Sequence, residues 1–552
     1  MTNLKATETR LVPLGGLGEI GMNCLAIEQA GGILVVDCGV TFPHEDLGID
    51  IFHPLFTWLE ERSDRVRGLF LTHGHEDHVG AVGHLLSRMD VPVFGPAHAL
   101  AIARHRMSEM GIDPKNRRLV TAVPRSTYEV GPFMVEPIRV THSIAEATAL
   151  AIRTAAGTIV HTGDFKFDPS PPDGELTDEA RLAELGDEGV RLLLSDSTNI
   201  DARSEPGSES TVGDELDRIV AESEHRVIIG AFASNVQRLV RVGEIAQKYG
   251  RKIALLGRSL QLHVGFAHEI GKLSWPSDLV IPPDEVKNLP RNRVLALAGG
   301  TQAEPFSALR RLASRTHPAL DLEPGDVVVF SSRIIPGNDV GVFSMMGDLL
   351  RQEVSLRNWI TDPLVHVSGH AHRSEQKRML ELVRPKAFIP VHGTLHHLVR
   401  HAELAREMGV SQTLVLENGD IALLDEKDLV KEGRTEVGKV AMSAGRELPR
   451  GVLRERQMLA RSGMVHVTVV VDAKGKLKTP PAVALHGVPI DENDLPSRRS
   501  IVRAVVDALN GRFHVDRPSD EAIADQARFA ARRAVEARVG KRPVALATVV
   551  RG

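Results

Sequence analysis

A chain of 552 residues with 42% hydrophobic and 25% charged residues is too long for one core and reads as an ordinary soluble protein of about two to four domains, which excludes fibrous and disordered classes. No apolar run approaches the ~18 residues that a membrane span needs. Met1-Thr2-Asn3-Leu4-Lys5 has no apolar signal core, and the two cysteines Cys24 and Cys38 are too few for a disulfide framework, so a reduced cytoplasm and two small buried hydrophobes are expected.

The net charge of −5 hides an asymmetry: residues 431–552 carry 23 Lys+Arg against 14 Asp+Glu, a balance of +9 that leaves −14 for the first 430. A solvated face is the default reading of that excess, and contact of the tail with nucleic acid stays open beside it.

Along the chain, Gly16-Leu17-Gly18-Glu19-Ile20-Gly21 spells G-x-G-x-x-G, but Cys24-Leu25-Ala26-Ile27-Glu28 then reads as a strand where a dinucleotide fold demands a helix. No nucleotide site is expected there. The apolar runs Ile33–Val36, Gly68–Leu71, Ile138–Val140, Thr158–Val160 and Leu192–Leu194 read as strands, and each ends in polar chemistry: Asp37, His73 to His78, His142, Asp164 and Asp196.

From about residue 207 the grammar changes to βαβ, with strands at 226–229, 252–256, 294–297 and 327–330 and a helix ending near Lys248. Segments 364–370 and 387–393 return to apolar runs that end in His370 and His392. A first domain interrupted by an insertion explains this better than two tandem domains, because the late histidines complete an early set. We expect a hydrolase domain at 1–206 and 364–430, an inserted α/β domain at 207–363, a polar linker at 431–455 and a small α+β domain at 456–552, where oligomerisation is the expected role.

His73-Gly74-His75-Glu76-Asp77-His78 is dense in ligand-capable side chains. A polar loop of solvated histidines is the bland reading, and it fits a lone histidine better than this run. Two adjacent cations need about six protein ligands and a bridging group. We expect His73, His75 and His142 on one metal, Asp77, His78 and His392 on the other, Asp164 between them, and a bridging hydroxide as nucleophile. His396, His397 and His401 follow at helical spacing and read as helix surface or as groups behind the ligands.

The order His73-x-His75-x-Asp77-His78, His142, Asp164, His392 resembles the metallo-β-lactamase superfamily. Leu194–Asn199, His366-Val367-Ser368-Gly369-His370 and Pro390–Thr394 resemble the signature motifs of its nucleic-acid-processing β-CASP group, and nearly the whole chain is similar to the bacterial ribonuclease J family. The resemblance implies an α/β fold: a metallo-β-lactamase αββα sandwich split by an inserted α/β β-CASP domain, plus a small α+β C-terminal domain.

It further implies an RNA hydrolase with 5′→3′ exonuclease and endonuclease activity, preferring 5′-monophosphate ends, in mRNA decay and rRNA maturation. Two zinc ions are expected, with manganese or magnesium as alternatives, and homodimers or homotetramers with RNA-decay proteins as partners. Asp196 is implied as proton donor and His370 as proton acceptor; a carboxylate that merely orients a histidine is the alternative for Asp196. Some relatives hold a structural calcium near Leu47–Asp50, but Ala441–Gly445 lacks the acidic partner.

Phosphate handling reads locally. His366, Val367, Ser368, Gly369 and His370 offer backbone N–H groups and a hydroxyl between two imidazoles. Ser234 and Asn235 precede a helix whose N-terminus suits a 5′ phosphate, with plain capping as the alternative. Aromatic residues are scarce at 4%, so recognition of backbone rather than sequence, with marked salt dependence, is expected.

Overall fold

The computed structural model describes residues 4–43, 47–204, 206–335, 337–491, 493–510 and 518–552. The chain forms two compact units, Met1–His44 with Ile51–Lys439, and Glu45–Asp50 with Val440–Gly552.

Period-2 patterning builds the first unit. In the strand Gly32–Val36, Ile33 and Val35 join one core while Leu34 and Val36 join another, so the strand is apolar on both faces. It lies inside an eight-stranded sheet in the order Leu429–Arg434, Asp420–Leu424, Thr9–Gly15, Cys24–Gln29, Gly32–Val36, Val66–Phe70, Val93–Gly95, Leu119–Thr121.

A seven-stranded sheet faces it, and Leu34, Val36 and Phe70 of the first meet Leu150, Ile159, Leu192 and Ile389 of the second. Helices close both outer faces. Leu85 and Leu100 cover the first sheet, and Leu182, Met379 and Leu404 cover the second. These are the four layers of an αββα sandwich.

The strand Val190–Asp196 precedes the insertion and the strand Ala387–Val391 follows it, and the two are parallel neighbours with Asp196 opposite Val391. Between them lies an all-parallel six-stranded sheet whose alternate residues feed two cores, Val227 and Ile229 on one face and Ile228 on the other.

A buried polar chain joins insertion and sandwich. Lys166 pairs with Asp168 at 2.8 Å, and Asp168 accepts the backbone N–H of Glu209 at 3.0 Å, at the start of the first helix of the insertion. Glu209 grips Arg238, Arg238 donates to the Ser331 carbonyl, and the Ser331 hydroxyl donates to the Val365 carbonyl at 2.7 Å. All four charged side chains are at most 3% exposed.

In the second unit the strands Ala482–His486, Met464–Val471 and Val544–Arg551 form one sheet. The helices Leu495–Asn510 and Asp520–Val539 cover a face made of Val465, Val467, Val469 and Val471. This matches the α+β reading of the tail.

The linker reading of 431–455 is corrected. Leu429–Arg434 is a strand of the large sheet, Lys439–Ser443 and Arg446–Glu447 form a hairpin, and Arg450–Ser462 is a helix with no buried residue. The charges that suggested a linker are those of an exposed edge strand and a solvated helix.

Asp50 accepts the N–H of Ala444 at 2.7 Å, and Arg456 donates to the carbonyls of Leu47 and Gly48 at 3.0 and 2.8 Å. Among the described residues no helix is long and apolar enough to cross a membrane.

Removing one partner from a buried ion pair strands the other, which costs about 3–5 kcal/mol. Asp168→Ala is therefore expected to lower unfolding stability by about that amount, read as a shift of the urea midpoint. An unshifted midpoint would show that the junction carries no load.

Candidate metal centre

Strand ends place the expected ligands. The strand Val66–Phe70 feeds an extended segment through His75, which caps the short helix Glu76–Val79, so His73 and His75 precede the helix while Asp77 and His78 stand in its first turn. His142, Asp164 and His392 follow the strands Phe133–Arg139, Gly157–His161 and Ala387–Val391. Gly39 lets the chain pass close behind this turn, since a Cβ there would lie 1.7 Å from the Asp77 carbonyl oxygen.

Two groups result. The ligand atoms of His73, His75, His142 and Asp164 lie within 4.8 Å of one another, as do those of Asp77, His78, Asp164 and His392. Asp164 belongs to both: its Oδ2 is 3.7 Å from His73 Nε2 and from His142 Nε2 and 3.2 Å from His78 Nε2, and its Oδ1 is 2.7 Å from His392 Nδ1.

The atoms fit cations. His75 Nδ1 stands 3.1 Å from both His73 Nε2 and His142 Nε2, and the buried His392 Nε2 has no hydrogen-bond partner. Converging imidazole lone pairs next to two carboxylates are the donor set of zinc and similar divalent ions.

Neighbouring groups aim these rings. His78 Nδ1 donates to Asp37 Oδ2 at 2.8 Å, and Asp37 also accepts the N–H and the hydroxyl of Thr72, each at 2.8 Å. His142 Nδ1 donates to the Gly369 carbonyl at 2.6 Å. Each fixes a tautomer that leaves Nε2 for the centre.

Asp37 and His392 both hold positive φ, 59° and 53°, an uncommon conformation for residues with a Cβ and a sign that tertiary contacts fix them. Asn23 adds its amide 3.0 Å from His78 Nε2 and 3.2 Å from the Asp77 carbonyl oxygen.

Electrostatics sorts the histidines. Burial holds His73 and His142 well below the ordinary imidazole value and His75 at about 4, so these three are neutral and ready to ligate. Burial also opposes charge on His78 and His392, but the carboxylates around them together outweigh it, Asp164 with Asp77 and Asp37 at His78 and Asp164 with Asp77 and Asp196 at His392, and both rise well above the ordinary value. Asp77 and Asp164 resist burial in turn because His78 and His392 hold them low.

Asp196 and His370 adjoin the centre. Asp196 is fully buried; its Oδ1 accepts the N–H and hydroxyl of Thr198 at 2.9 and 2.7 Å, and its Oδ2 accepts His370 Nδ1–H at 2.9 Å. This carboxylate is thus an acceptor on both oxygens. Burial opposes charge on His370, yet Asp196 raises its pKa above the ordinary value.

The turn before His370 is tightly held, with Ser368 Oγ accepting from the Asn199 amide at 2.8 Å and from the His370 N–H at 3.2 Å. A Cβ at Gly369 would lie 2.3 Å from Ser143 Oγ and 2.9 Å from the His142 ring, so only glycine fits. Val367 is half-buried. His366 Nδ1 is buried without a partner, and burial, then Arg238 and Arg333, keep the ring neutral.

Ser234 and Asn235 are placed differently. Asn235 caps the helix Val236–Lys248 through the Arg238 N–H at 3.1 Å and donates to Glu209 at 3.2 Å, while Ser234 is half-buried with its carbonyl accepting the Val236 N–H. Capping thus falls to Asn235, whose amide is spent inside the insertion.

His396 is exposed and meets Asp201 at 2.7 Å, His397 lies 3.3 Å from the Thr394 hydroxyl, and His401 is fully buried with Nδ1 3.0 Å from Ser197 Oγ. The surface reading holds for His396 only. Asp37 ends an apolar run like the ligands do, which was its signal; Asn199 lies in the Leu194–Asn199 motif, His401 takes the alternative reading of a group behind the ligands, and Asn23 gave no signal in sequence.

Comparison with known proteins covers most of the chain. Residues 17–219 match the metallo-beta-lactamase superfamily, 224–349 the Ribonuclease J beta-CASP domain, 362–415 the Zn-dependent metallo-hydrolase RNA specificity domain and 451–552 the Ribonuclease J C-terminal domain. Ribonuclease J of Synechocystis sp. is 36% identical over 93% of this chain and 80% of its own length, and that of Thermus thermophilus is 34% identical over 98% and 95%. Ribonuclease J of Mycolicibacterium smegmatis is 38% identical over 84% and 83%. A solved protein of unknown function from Enterococcus faecalis shares the fold, with a TM-score of 0.54 at 17% identity over 76% of this chain and all of that one.

Partners that orient a ligating histidine are typically worth about 10–100-fold in metal affinity. Asp37→Ala is expected to weaken metal binding by about that factor in a chelator competition, and His75→Ala to lower the bound metal count. Undiminished metal in both variants would sink the ligand assignment.

Proposed function

The chain belongs to the ribonuclease J family of metal-dependent ribonucleases, and from that premise we propose that it removes nucleotides from single-stranded RNA in the 5′→3′ direction, prefers a 5′-monophosphate end and also cuts internally. The carrying observation is His370: Nδ1 is tied to Asp196, the ring lies 5.0 Å from that of His142 and 5.5 Å from that of His392, and the Ser368-Gly369 turn leads into it.

Two divalent cations, zinc with manganese or magnesium as alternatives, held by His73, His75 and His142 and by Asp77, His78 and His392 with Asp164 between them, supply water activation and charge neutralisation when bound.

The residues divide the remaining work. Asp196 keeps the proton of His370 on Nδ1 and favours the charged ring, so Nε2–H can protonate the departing 3′-oxygen of the cleaved phosphodiester. Asp196 then acts as the orienting carboxylate and His370 as the acid, which inverts the roles implied by resemblance.

A 5′ phosphate is received by the Ser368 hydroxyl, the Gly369 N–H and His366, whose neutral ring offers a donor next to Arg238. Asn235 supports this pocket from behind through Arg238 rather than by touching phosphate, and Ser234 and Val367 flank it. We assign the enzyme to mRNA decay and rRNA maturation in the cytoplasm, acting as a homodimer or homotetramer alongside other RNA-decay proteins.

The test is a time course on 3′-labelled single-stranded RNA bearing a 5′ monophosphate or a 5′ hydroxyl. Shortening from the 5′ end, faster with the monophosphate and lost in His78→Ala, is expected. Ser368→Ala should cut the monophosphate preference about ten-fold, the worth of one hydrogen bond to a charged group. Cleavage indifferent to the 5′ group would overturn the pocket, and no cleavage by metal-loaded protein would overturn the reading as a whole.

A further inference from the structure

The helix Asp520–Val539 buries Ile523, Ala527, Ala531 and Val535 in the core of the C-terminal unit. Phe529 lies midway between Ala527 and Ala531, on the opposite side of the helix, and is 44% exposed. It contributes nothing to that core. The Arg528 and Arg532 guanidinium carbons stand 5.2 and 4.9 Å from its ring centroid.

Phe42, Phe306, Phe343 and Phe529 are the exposed phenylalanines among the described residues, and only Phe529 has an arginine over its ring.

Positive charge is concentrated around that ring. Residues 526–542 hold Arg528, Arg532, Arg533, Arg538, Lys541 and Arg542 against Glu536 alone. Arg532 is lowered from the ordinary value by burial and then by Arg542, Arg528 and Arg533, so each of these three lies within electrostatic reach of Arg532. Asp525 pairs with Arg528 at 2.7 Å and Glu536 approaches Arg542 at 4.0 Å.

A second copy docked through this face by a two-fold axis would set the cluster against itself, so self-association is disfavoured here. A chain of phosphates neutralises several arginines at once, and its bases stack on a phenyl ring or a guanidinium plane regardless of sequence.

We propose that Phe529, Arg528, Arg532, Arg533 and Arg542 form a second contact surface for single-stranded RNA, which holds backbone and bases. The surface deepens the ribonuclease reading and rests on it for its ligand. It acts on affinity for long substrates and leaves the chemical step alone.

The test uses the full metal-loaded chain with RNAs of about 5 and about 30 nucleotides, lengths at the lower end of and well above the usual size of a single-strand site. For Phe529→Ala and for the double variant Arg532→Ala, Arg533→Ala, the KM for the long RNA is expected to rise about ten-fold, the scale of one lost base stack. kcat and the KM for the short RNA stay as in the unaltered chain.

Fluorescence anisotropy of the long RNA should show the same loss of affinity, with a log–log salt slope shallower by about 0.7 for each phosphate contact removed. Unchanged affinity for the long RNA, equal KM shifts at both lengths, or a change of oligomeric mass without a change in RNA affinity would each overturn the surface. An unaltered chain that binds the long RNA through these arginines yet cleaves neither length would overturn the ribonuclease reading while leaving the surface in place.

Discussion

Asp164 is the group on which the site depends. A carboxylate 2% exposed survives as an anion only where neighbours repay its lost hydration. His78 and His392 do so by favouring their charged forms beside it, and two cations would do it more strongly. One oxygen faces His73, His78 and His142 and the other faces His392, so Asp164 couples the two ligand groups. Ligand charge and metal occupancy would therefore be linked, since cations held by these groups would take the place of protons on His78 and His392.

That centre can exist because the chain closes on itself. His73 to His78 and Asp164 come from the first pass through the sandwich, while His392 and the 366–370 turn come from the second. The parallel pairing of Val190–Asp196 with Ala387–Val391 brings the passes together, and Ser197 N–H donates to the Val391 carbonyl just beyond it at 3.0 Å. The insertion is tied to the same place, because the ion-paired chain from Lys166 to Arg238 ends at Ser331 on the carbonyl of Val365, next to His366. Shape and chemistry are thus set by one junction.

Much of this was legible in the sequence. Apolar runs ending in His or Asp announce strand ends in a sandwich, and four ligand-capable residues in one turn have few other uses. The change to βαβ grammar marks the insertion. What stayed hidden depends on contacts between distant segments. Nothing near Asp37 says that it holds His78, 41 residues away. His401 looks like any helix histidine until the fold buries it on Ser197, and Asn235 looks like a phosphate ligand until Glu209 claims its amide. The linker reading of 431–455 failed for a related reason, since an edge strand shows solvent on one side and reads as polar.

The scarcity of aromatic residues constrains how such an enzyme can hold RNA. Specificity for an end needs a few well-placed donors, a part that the proposed reading gives to the half-buried 366–370 turn, because phosphate must be fixed to a fraction of an ångström for in-line chemistry. Retention of a long strand needs the opposite: tolerant contacts that let the strand advance after each cut. Long arginine side chains and an exposed ring such as Phe529 would meet that need, because guanidinium groups follow a moving phosphate and every base has a face to stack. A deep pocket with many hydrogen bonds would grip the strand harder and slow its advance. Rigid recognition at the end and loose recognition along the strand ask for different surfaces, and the basic charge collected in the tail of a chain that is acidic elsewhere would suit the second.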